Sequence, residues 1–299
     1  MKLLVIGGNG QVGHELLRSL ASLGAVVATT RSGKLDDGAA CEPFDLADLD
    51  AIAPLLDRVR PEVVINAAAY TAVDRAEDDA EAAFRVNAEG PGRLAAECAA
   101  RSIALVHYST DYVFDGQGDR PYREGDATAP IGVYGRSKLA GEQAIAASGV
   151  RHLILRTAWV YGLHGANFLR TMLRVGAERE ELRVVADQRG TPTPAWLIAD
   201  VTAAILRGGI DQSGVMHLVA AGETTWHGFA EAIFAESVRG GLIGRAPRVT
   251  AITTSDYPTR ARRPAYSVLD TRRLQSGFDI ALPDWRDALA ATLAAPRLR

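Results

Sequence analysis

The stretch Met1-Lys2-Leu3-Leu4-Val5-Ile6-Gly7-Gly8-Asn9-Gly10-Gln11-Val12-Gly13 decides the fold. Leu3–Ile6 is a short unbroken apolar run, the pattern of a strand buried on both faces of a parallel sheet. Beyond it, Val12, Leu16, Leu17, Leu20 and Leu23 recur at helical spacing, which predicts a helix over Gln11–Leu23. Glycines between the two permit a tight turn and let the backbone approach a pyrophosphate. The helix N-terminus supplies unpaired N–H groups and a dipole that favours an anion. The glycines fall at Gly7, Gly10 and Gly13, a G-x-x-G-x-x-G spacing that differs from the commoner G-x-G-x-x-G form. Between a strand and a helix, that spacing reads as a dinucleotide-binding loop.

Working outward, short apolar runs keep alternating with amphipathic stretches. Strands are predicted at Val26–Thr29, Cys41–Phe44, Val63–Ala67, Ile103–Tyr108 and His152–Arg156. Between them, helices are predicted over Leu46–Val59, over a long Ala- and Glu-rich Ala80–Arg101, and from Tyr134 to about Ala147. Repetition of strand and helix implies a doubly wound parallel sheet with helices on both faces and right-handed crossovers. The pattern loosens after about Trp159. Phe168–Val175, Leu197–Leu206, Phe229–Ser237 and Trp285–Leu293 read as helices, and Leu182–Val185 and His217–Val219 as strands. The fold class is α/β: a Rossmann-like doubly wound parallel sheet with a smaller C-terminal α/β substrate lobe. Residues 1–160 are expected to form the NADP-binding domain, with sheet contributions from later segments. Residues 161–299 are expected to form mainly that smaller substrate lobe.

Composition narrows the partners. Of 299 residues, 47% are hydrophobic and 23% charged, as in an ordinary soluble globular protein with a sizeable core. The net charge of −3 gives no general affinity for nucleic acid or an anionic membrane. The two cysteines, Cys41 and Cys98, form no close-spaced motif, so buried thiols in a reducing cytoplasm are expected. The N-terminus lacks a signal-peptide pattern, and no run reaches transmembrane length. The six histidines form no metal-ligand cluster and read as packing or surface residues.

Two features carry chemistry. The second strand ends Thr29-Thr30-Arg31-Ser32. An acidic residue there would hold a ribose 2′-hydroxyl and favour NAD; Arg31 and Ser32 suit a 2′-phosphate, which puts NADPH ahead of NADH. The other reading of Arg31 is a solvated loop residue. Further on, Tyr134-Gly-Arg-Ser-Lys138 places a phenol and an ammonium one helical turn apart on one face. A phenol with a pKa of about 10 is a sluggish acid at neutral pH, and a nearby cation would lower that value. Alone, the spacing also fits a half-buried tyrosine beside a solvated lysine.

The order of motifs adds to this. The glycine loop is followed by Asn66-Ala-Ala-Ala-Tyr70, Ser109-Thr-Asp-Tyr-Val-Phe-Asp-Gly116 and Tyr134…Lys138. Arg156-Thr-Ala-Trp-Val-Tyr-Gly162, Asp187-Gln-Arg-Gly-Thr-Pro-Thr193 and Arg262-Arg263-Pro264 come after. In these motifs, over nearly the whole chain, the sequence resembles the extended short-chain dehydrogenase/reductases and, among them, the dTDP-4-dehydrorhamnose reductase family. That resemblance implies NADPH-dependent reduction of a dTDP-linked 4-keto-6-deoxyhexose, the last step of dTDP-L-rhamnose synthesis. It implies that Tyr134 donates a proton to the C4 oxygen as hydride arrives. Lys138 would hold the nicotinamide ribose and depress the tyrosine pKa, and Thr110 would hydrogen-bond the substrate oxygen. Asp111 and Tyr112 would position the sugar, and Trp159 would form an apolar wall against it. Gln11, Val12, Asp45, Leu46, Ala67, Ala68, Ala69 and Tyr70 would line the dinucleotide groove. Arg263, with Arg260 and Arg262, reads either as a clamp on the nucleotide diphosphate or as a solvated face. Thr110 has a second reading as a strand-end cap, Trp159 as core, and Asp45 as a helix N-cap.

The chain departs from the family pattern in places. Some members hold a divalent ion between glutamates at a dimer interface. Glu15 matches one such position, but Trp196 stands where another glutamate is expected. The expectation is therefore no metal, while a homodimer stays open. Ala265-Tyr266-Ser267 replaces the usual continuation of the Arg-Pro motif, and Met216 stands where an aromatic is common. Two other functions compete with reduction: an epimerase or dehydratase that retains NAD, and a reductase-like regulatory subunit without catalysis.

Overall fold

The computed structural model describes residues 1–210 and 213–295. Seven parallel strands form the central sheet: β1 (Lys2–Ile6), β2 (Ala25–Thr30), β3 (Glu42–Pro43), β4 (Val63–Asn66), β5 (Ala104–Thr110), β6 (His152–Thr157) and β7 (Gly214–His217). Their order is β7-β6-β5-β4-β1-β2-β3. The chain winds one way from β1 to β3 and the other way from β4 to β7. The crevice at the carboxyl ends of β1 and β4 is therefore the topological switch point, where open α/β sheets bind ligands.

Alternate strand residues feed two cores. Leu3 and Val5 of β1, Val63 and Ile65 of β4 pack against helices α1 (Gln11–Leu20) and α6 (Ala195–Gly208). Leu4, Ile6 and Val64 face the other way, against α2 (Ile52–Val59) and α3 (Gly90–Ala100), with Ile145 of α4 (Val133–Ala147) joining them. That two-residue alternation is the strand period, and burial on both faces is why these strands read as continuous apolar runs. In α1, Leu16 and Leu20 are fully buried; each contributes about 1.5–3 kcal/mol.

The predicted strands and helices of the first 160 residues are all present, with three local changes. The helix expected to Leu23 closes at Leu20 and continues as one tighter turn. The stretch Leu46–Asp48 is a turn before α2 rather than its start. The helix expected over Ala80–Arg101 is interrupted by a π-turn at Arg85–Glu89.

In the C-terminal part, α5 (Phe168–Glu178), α6, α7 (Trp226–Arg239) and α8 (Trp285–Ala294) match the predicted helices. The strand expected at His217–Val219 lies earlier, at Gly214–His217, and extends the main sheet beside β6. The longest elements not anticipated are the strand Arg248–Ile252, which pairs in parallel with Glu181–Val185, and the helix Arg272–Phe278. Among the described residues, no helix is long and apolar enough to cross a membrane.

Candidate active site

The glycine loop sits at the switch point. Gly7 has φ +89°, a left-handed conformation, and a Cβ there would come 2.9 Å from the Ala68 backbone nitrogen. A Cβ on Gly13 would fall 2.0 Å from the Gly7 carbonyl oxygen. Gly13 is buried behind the loop and does not line the groove. What its missing side chain does is let α1 close onto the β1 turn. Gly10 precedes α1 and makes no side-chain cap, so the first-turn N–H groups face the groove without a competing side chain. The Gln11 amide oxygen accepts from Asn167 Nδ2 at 2.8 Å, which ties the loop to the start of α5.

The groove running from this loop has a volume of about 850 Å³. Gly7, Gly10, Gln11 and Val12 form one end, and Arg31, Ser32, Asp45 and Leu46 border it beyond β2 and β3. Ala67, Ala68, Ala69 and Tyr70 form its floor after β4. Tyr134 and Lys138 close the far end with Tyr108 and Ser109. Arg31 and Ser32 are exposed, as contact with a phosphate from solvent requires. Asp45 is not the N-cap of α2. Its Oδ1 accepts from Ala47 N at 3.0 Å within the preceding turn, leaving the carboxylate at the groove mouth.

Helix α4 carries both Tyr134 and Lys138, and the carboxyl end of β5 carries Thr110. Lys138 is buried, and its Nζ donates to the Tyr108 carbonyl at 2.6 Å and lies 3.1 Å from His107 Nε2. Burial brings its pKa down to about 8, with Glu142 pulling the other way. Burial pushes the Tyr134 phenol well above its ordinary value; the Thr110 hydroxyl opposes this, while Asp111 and Tyr112 add to it. The expected depression of the phenol by Lys138 is thus absent from this arrangement. The ammonium is turned toward β5, and loss of hydration dominates.

Thr110 fills its reading as a strand-end cap. Its hydroxyl accepts from Tyr112 N at 3.2 Å, capping the helical turn Asp111–Val113, and donates to Asp111 Oδ1 at 2.9 Å. Asp111 is buried, its Oδ2 has no partner among the described residues, and burial lifts its pKa to about 6 against the Ser267 and Thr110 hydroxyls. Tyr112 meets the Tyr134 ring edge-on at 5.5 Å.

Two expected substrate contacts are placed differently. Trp159 adopts φ +48° and stacks face to face on Trp226 at 3.6 Å. One indole face is therefore covered, and Gly190 lies so close that a Cβ there would come 2.5 Å from the ring. That packing favours the core reading of this ring and leaves no open wall on the stacked face. The basic cluster is largely neutralised. Arg263 Nη2 donates to Asp74 Oδ2 at 2.6 Å, and Arg260 pairs with Asp78. These pairs fasten the C-terminal loop to the segment beyond Tyr70. Glu15 is paired with Arg18, and among the described residues no group of three or more His, Cys, Asp or Glu could hold a metal ion.

Three supporting residues were not read from the sequence. Asn87, in the π-turn, accepts from Tyr70 N at 2.8 Å and donates to the Tyr70 carbonyl and Ser137 Oγ, both at 3.0 Å. It pins the groove floor to α4. Asn66 and His107 lie 3.0 Å apart beneath Lys138.

The arrangement joins an anion-binding loop, a groove of dinucleotide length and a proton-bearing phenol beside a threonine. That is the equipment of a nicotinamide-dependent ketone reductase. Comparison with known proteins agrees. A family model described as RmlD substrate binding domain matches residues 1–297. The chain is 50% identical over 298 residues to a dTDP-4-dehydrorhamnose reductase of Burkholderia thailandensis, covering 97% of each. A crystal structure of a dTDP-4-dehydrorhamnose reductase from Clostridium acetobutylicum superposes with a TM-score of 0.88 at 36% identity, covering 98% of both chains. Another, from Bacillus anthracis in complex with NADP, gives 0.87 at 31% identity, over 97% of this chain and 98% of that one.

Proposed function

The chain belongs to the RmlD family of dTDP-4-dehydrorhamnose reductases, and we propose that Tyr134, Thr110 and Lys138 form its reducing centre. It is an NADP-dependent oxidoreductase that converts the C4 ketone of dTDP-4-dehydro-L-rhamnose to the alcohol of dTDP-L-rhamnose. Neither an NAD-retaining epimerase or dehydratase nor a non-catalytic subunit is favoured by the similar proteins of Burkholderia thailandensis, Shigella flexneri and Escherichia coli, which are reductases.

The carrying observation is that Tyr134 and Lys138 end the groove together, with the Thr110 hydroxyl acting on the Tyr134 phenol. NADPH, when bound, supplies the hydride that reaches C4. The side-chain-free cradle at Gly7 and Gly10 fits its pyrophosphate, and the first-turn N–H groups of α1 would receive it. Arg31 and Ser32 would meet the 2′-phosphate, and Lys138 the nicotinamide ribose. Tyr134 delivers its proton to the C4 oxygen. The phenol is protonated at neutral pH and so able to donate, though burial makes it a weaker acid, which the negative charge gathering on the C4 oxygen must offset. The Thr110 hydroxyl, turning its one proton from Asp111 Oδ1, would stabilise the phenolate left behind, which then recovers a proton from solvent.

The readings for organisation follow. Residues 1–160 bind NADP, and 161–299 mainly receive the sugar nucleotide while lending β7 to the sheet. A reducing cytoplasm suits the two free thiols; burial pushes that of Cys98 up to about 12.

The test supplies NADPH and dTDP-4-dehydro-L-rhamnose to the purified chain, follows the loss of NADPH absorbance and identifies the product. No oxidation by a well-folded protein would sink the proposal.

A further inference from the structure

Beneath Lys138 lies a polar chain that the reduction itself does not use. Ala68 N donates to Asn66 Oδ1 at 3.1 Å, which fixes the orientation of that amide. The Asn66 NH₂ group then faces His107 Nδ1 at 3.0 Å and donates to it. A neutral imidazole that accepts at Nδ1 carries its proton on Nε2. Nε2 in turn lies 3.1 Å from Lys138 Nζ. The ring is fully buried, and both burial and Lys138 hold its pKa well below the ordinary value, so it stays neutral.

An ammonium has three donors and no acceptor, whereas a neutral amine has a lone pair. The N–H of His107 therefore opposes the charged form of Lys138 and favours the neutral one. The reverse tautomer would require the Asn66 amide to flip. Its NH₂ would then face the Ala68 N–H, donor against donor. Resting on the reductase reading, we propose that His107, locked by Asn66 in its Nε2–H form, is a positioning residue that lowers the proton affinity of Lys138. Lys138 is then poised to take up a proton when the polyanionic dinucleotide enters the groove beside it.

Other charges around Lys138 are accounted for. From its own helix come Tyr134 and Glu142, and Glu142 is held by Arg156 of β6 at 2.9 and 2.6 Å. From the turn after β5 comes Asp111, which acts on Tyr134. The π-turn contributes uncharged Asn87, and its Arg85 and Glu89 pair with each other. In the segments before it, Asp74 holds Arg263, Glu77 accepts from Val133 N, and Glu81 is exposed. On α3, Glu97 is held by Arg93 and Arg101.

The chain has three lysines, Lys2, Lys34 and Lys138, which makes a direct test practical. Nitrogen-15 NMR of the full chain should show the His107 proton on Nε2 with Nδ1 bare; a proton on Nδ1 overturns the proposal. Carbon-13 labelling at lysine Cε then reads the titration of Lys138. His107→Phe should raise the Lys138 pKa by about one unit. A fall, or no change, overturns the proposal, since a fall means that Nε2 was accepting from the ammonium. If His107→Phe fails to fold, Asn66→Asp replaces it: the new carboxylate should draw the proton to Nδ1, and its retention on Nε2 refutes the lock. Neither readout needs turnover, so both stand even if the reductase assay fails. In the wild type, NADPH affinity should fall as pH rises past about 8, because binding then takes up a proton. Affinity that is flat across that range also overturns the proposal.

Discussion

Gly13→Ala tests whether the glycine loop works by close packing or by direct contact. The new Cβ would fall 2.0 Å from the Gly7 carbonyl oxygen and 2.8 Å from its carbon. An ordinary carbon–oxygen contact is roughly 3.3 Å, so α1 and the loop must separate by about 1.3 Å. Both clashing groups are backbone, and no side chain can rotate away. On its other flank, α1 is held by buried Leu16 and Leu20 in the core it shares with α6. Overpacking of this kind costs about 1–3 kcal/mol, or roughly 2–4 °C of melting temperature per kcal/mol. Moving the first-turn N–H groups also misplaces at least one charge-assisted bond to phosphate. That loss is about 1.5–3 kcal/mol, a roughly 10- to 150-fold weaker NADPH affinity. Gly10→Ala is the control. Its φ of −71° suits any residue, and its Cβ would lie 3.3 Å from the Gly7 oxygen, tight but tolerable. That variant should keep its melting temperature and lose NADPH binding because the Cβ enters the groove. Calorimetric titration with NADPH and thermal unfolding, run on both variants, decide the matter. Wild-type affinity in Gly13→Ala would refute the packing argument.

Three further outcomes are expected. Tyr134→Phe should bind NADPH normally and lose roughly 10²–10⁴-fold in turnover; near-normal turnover in a steady-state assay removes Tyr134 from the acid role. Arg31→Ala should weaken NADPH by roughly 10-fold or more and leave NADH unchanged, read by parallel titrations; an equal loss for both cofactors means that Arg31 does not meet the 2′-phosphate. Asp111→Asn should raise stability, because a carboxyl whose folded pKa is lifted to about 6 from about 3.8 binds its proton more tightly when folded. Its ionisation is therefore destabilising: the gain should be absent below pH 4, grow from there to about pH 6, and level near 3 kcal/mol above that. A denaturant midpoint for the variant that matches the wild type at pH 8 would contradict this.

The sheet was legible because parallel strands buried on both faces must be apolar throughout, as Leu3–Ile6 and Leu153–Leu155 are. The strand Arg248–Ile252 escaped because only Ile252 in it is buried, so its sequence carries neither a run nor a clean alternation. The π-turn at Arg85–Glu89 left no spacing signal, since one slipped backbone bond does not change which residues are apolar. Tyr134, Lys138 and Thr110 were found through the order of motifs; the first two end the groove, and Thr110 acts on the Tyr134 phenol from the end of β5. His107 and Asn66 were missed for a physical reason. They are 41 residues apart and meet only because β4 and β5 are neighbours in register. A lone histidine inside an apolar run looks like packing until its partner is known. Arg263 and Trp159 show the converse: their residue types suggested ligand contacts, and Asp74 and Trp226 occupy the groups in question.

The same force acts on every titratable group at the reducing centre, and its direction has a consequence. Burial raises Tyr134 and Asp111 and lowers Lys138 and His107. Each shift favours the uncharged form. Sequence reasoning assumed the opposite balance, with a fixed ammonium drawing the phenol down. At neutral pH Lys138, at about 8, is still mostly protonated and Asp111, at about 6, mostly ionised, so the centre holds one charge of each sign before its ligands arrive. Ligands add to this: phosphates at the α1 N-terminus and a ketone oxygen gaining electrons beside Thr110. A protonated Tyr134 is the form that can donate, and a weakly basic Lys138 is the form that can respond to an arriving anion.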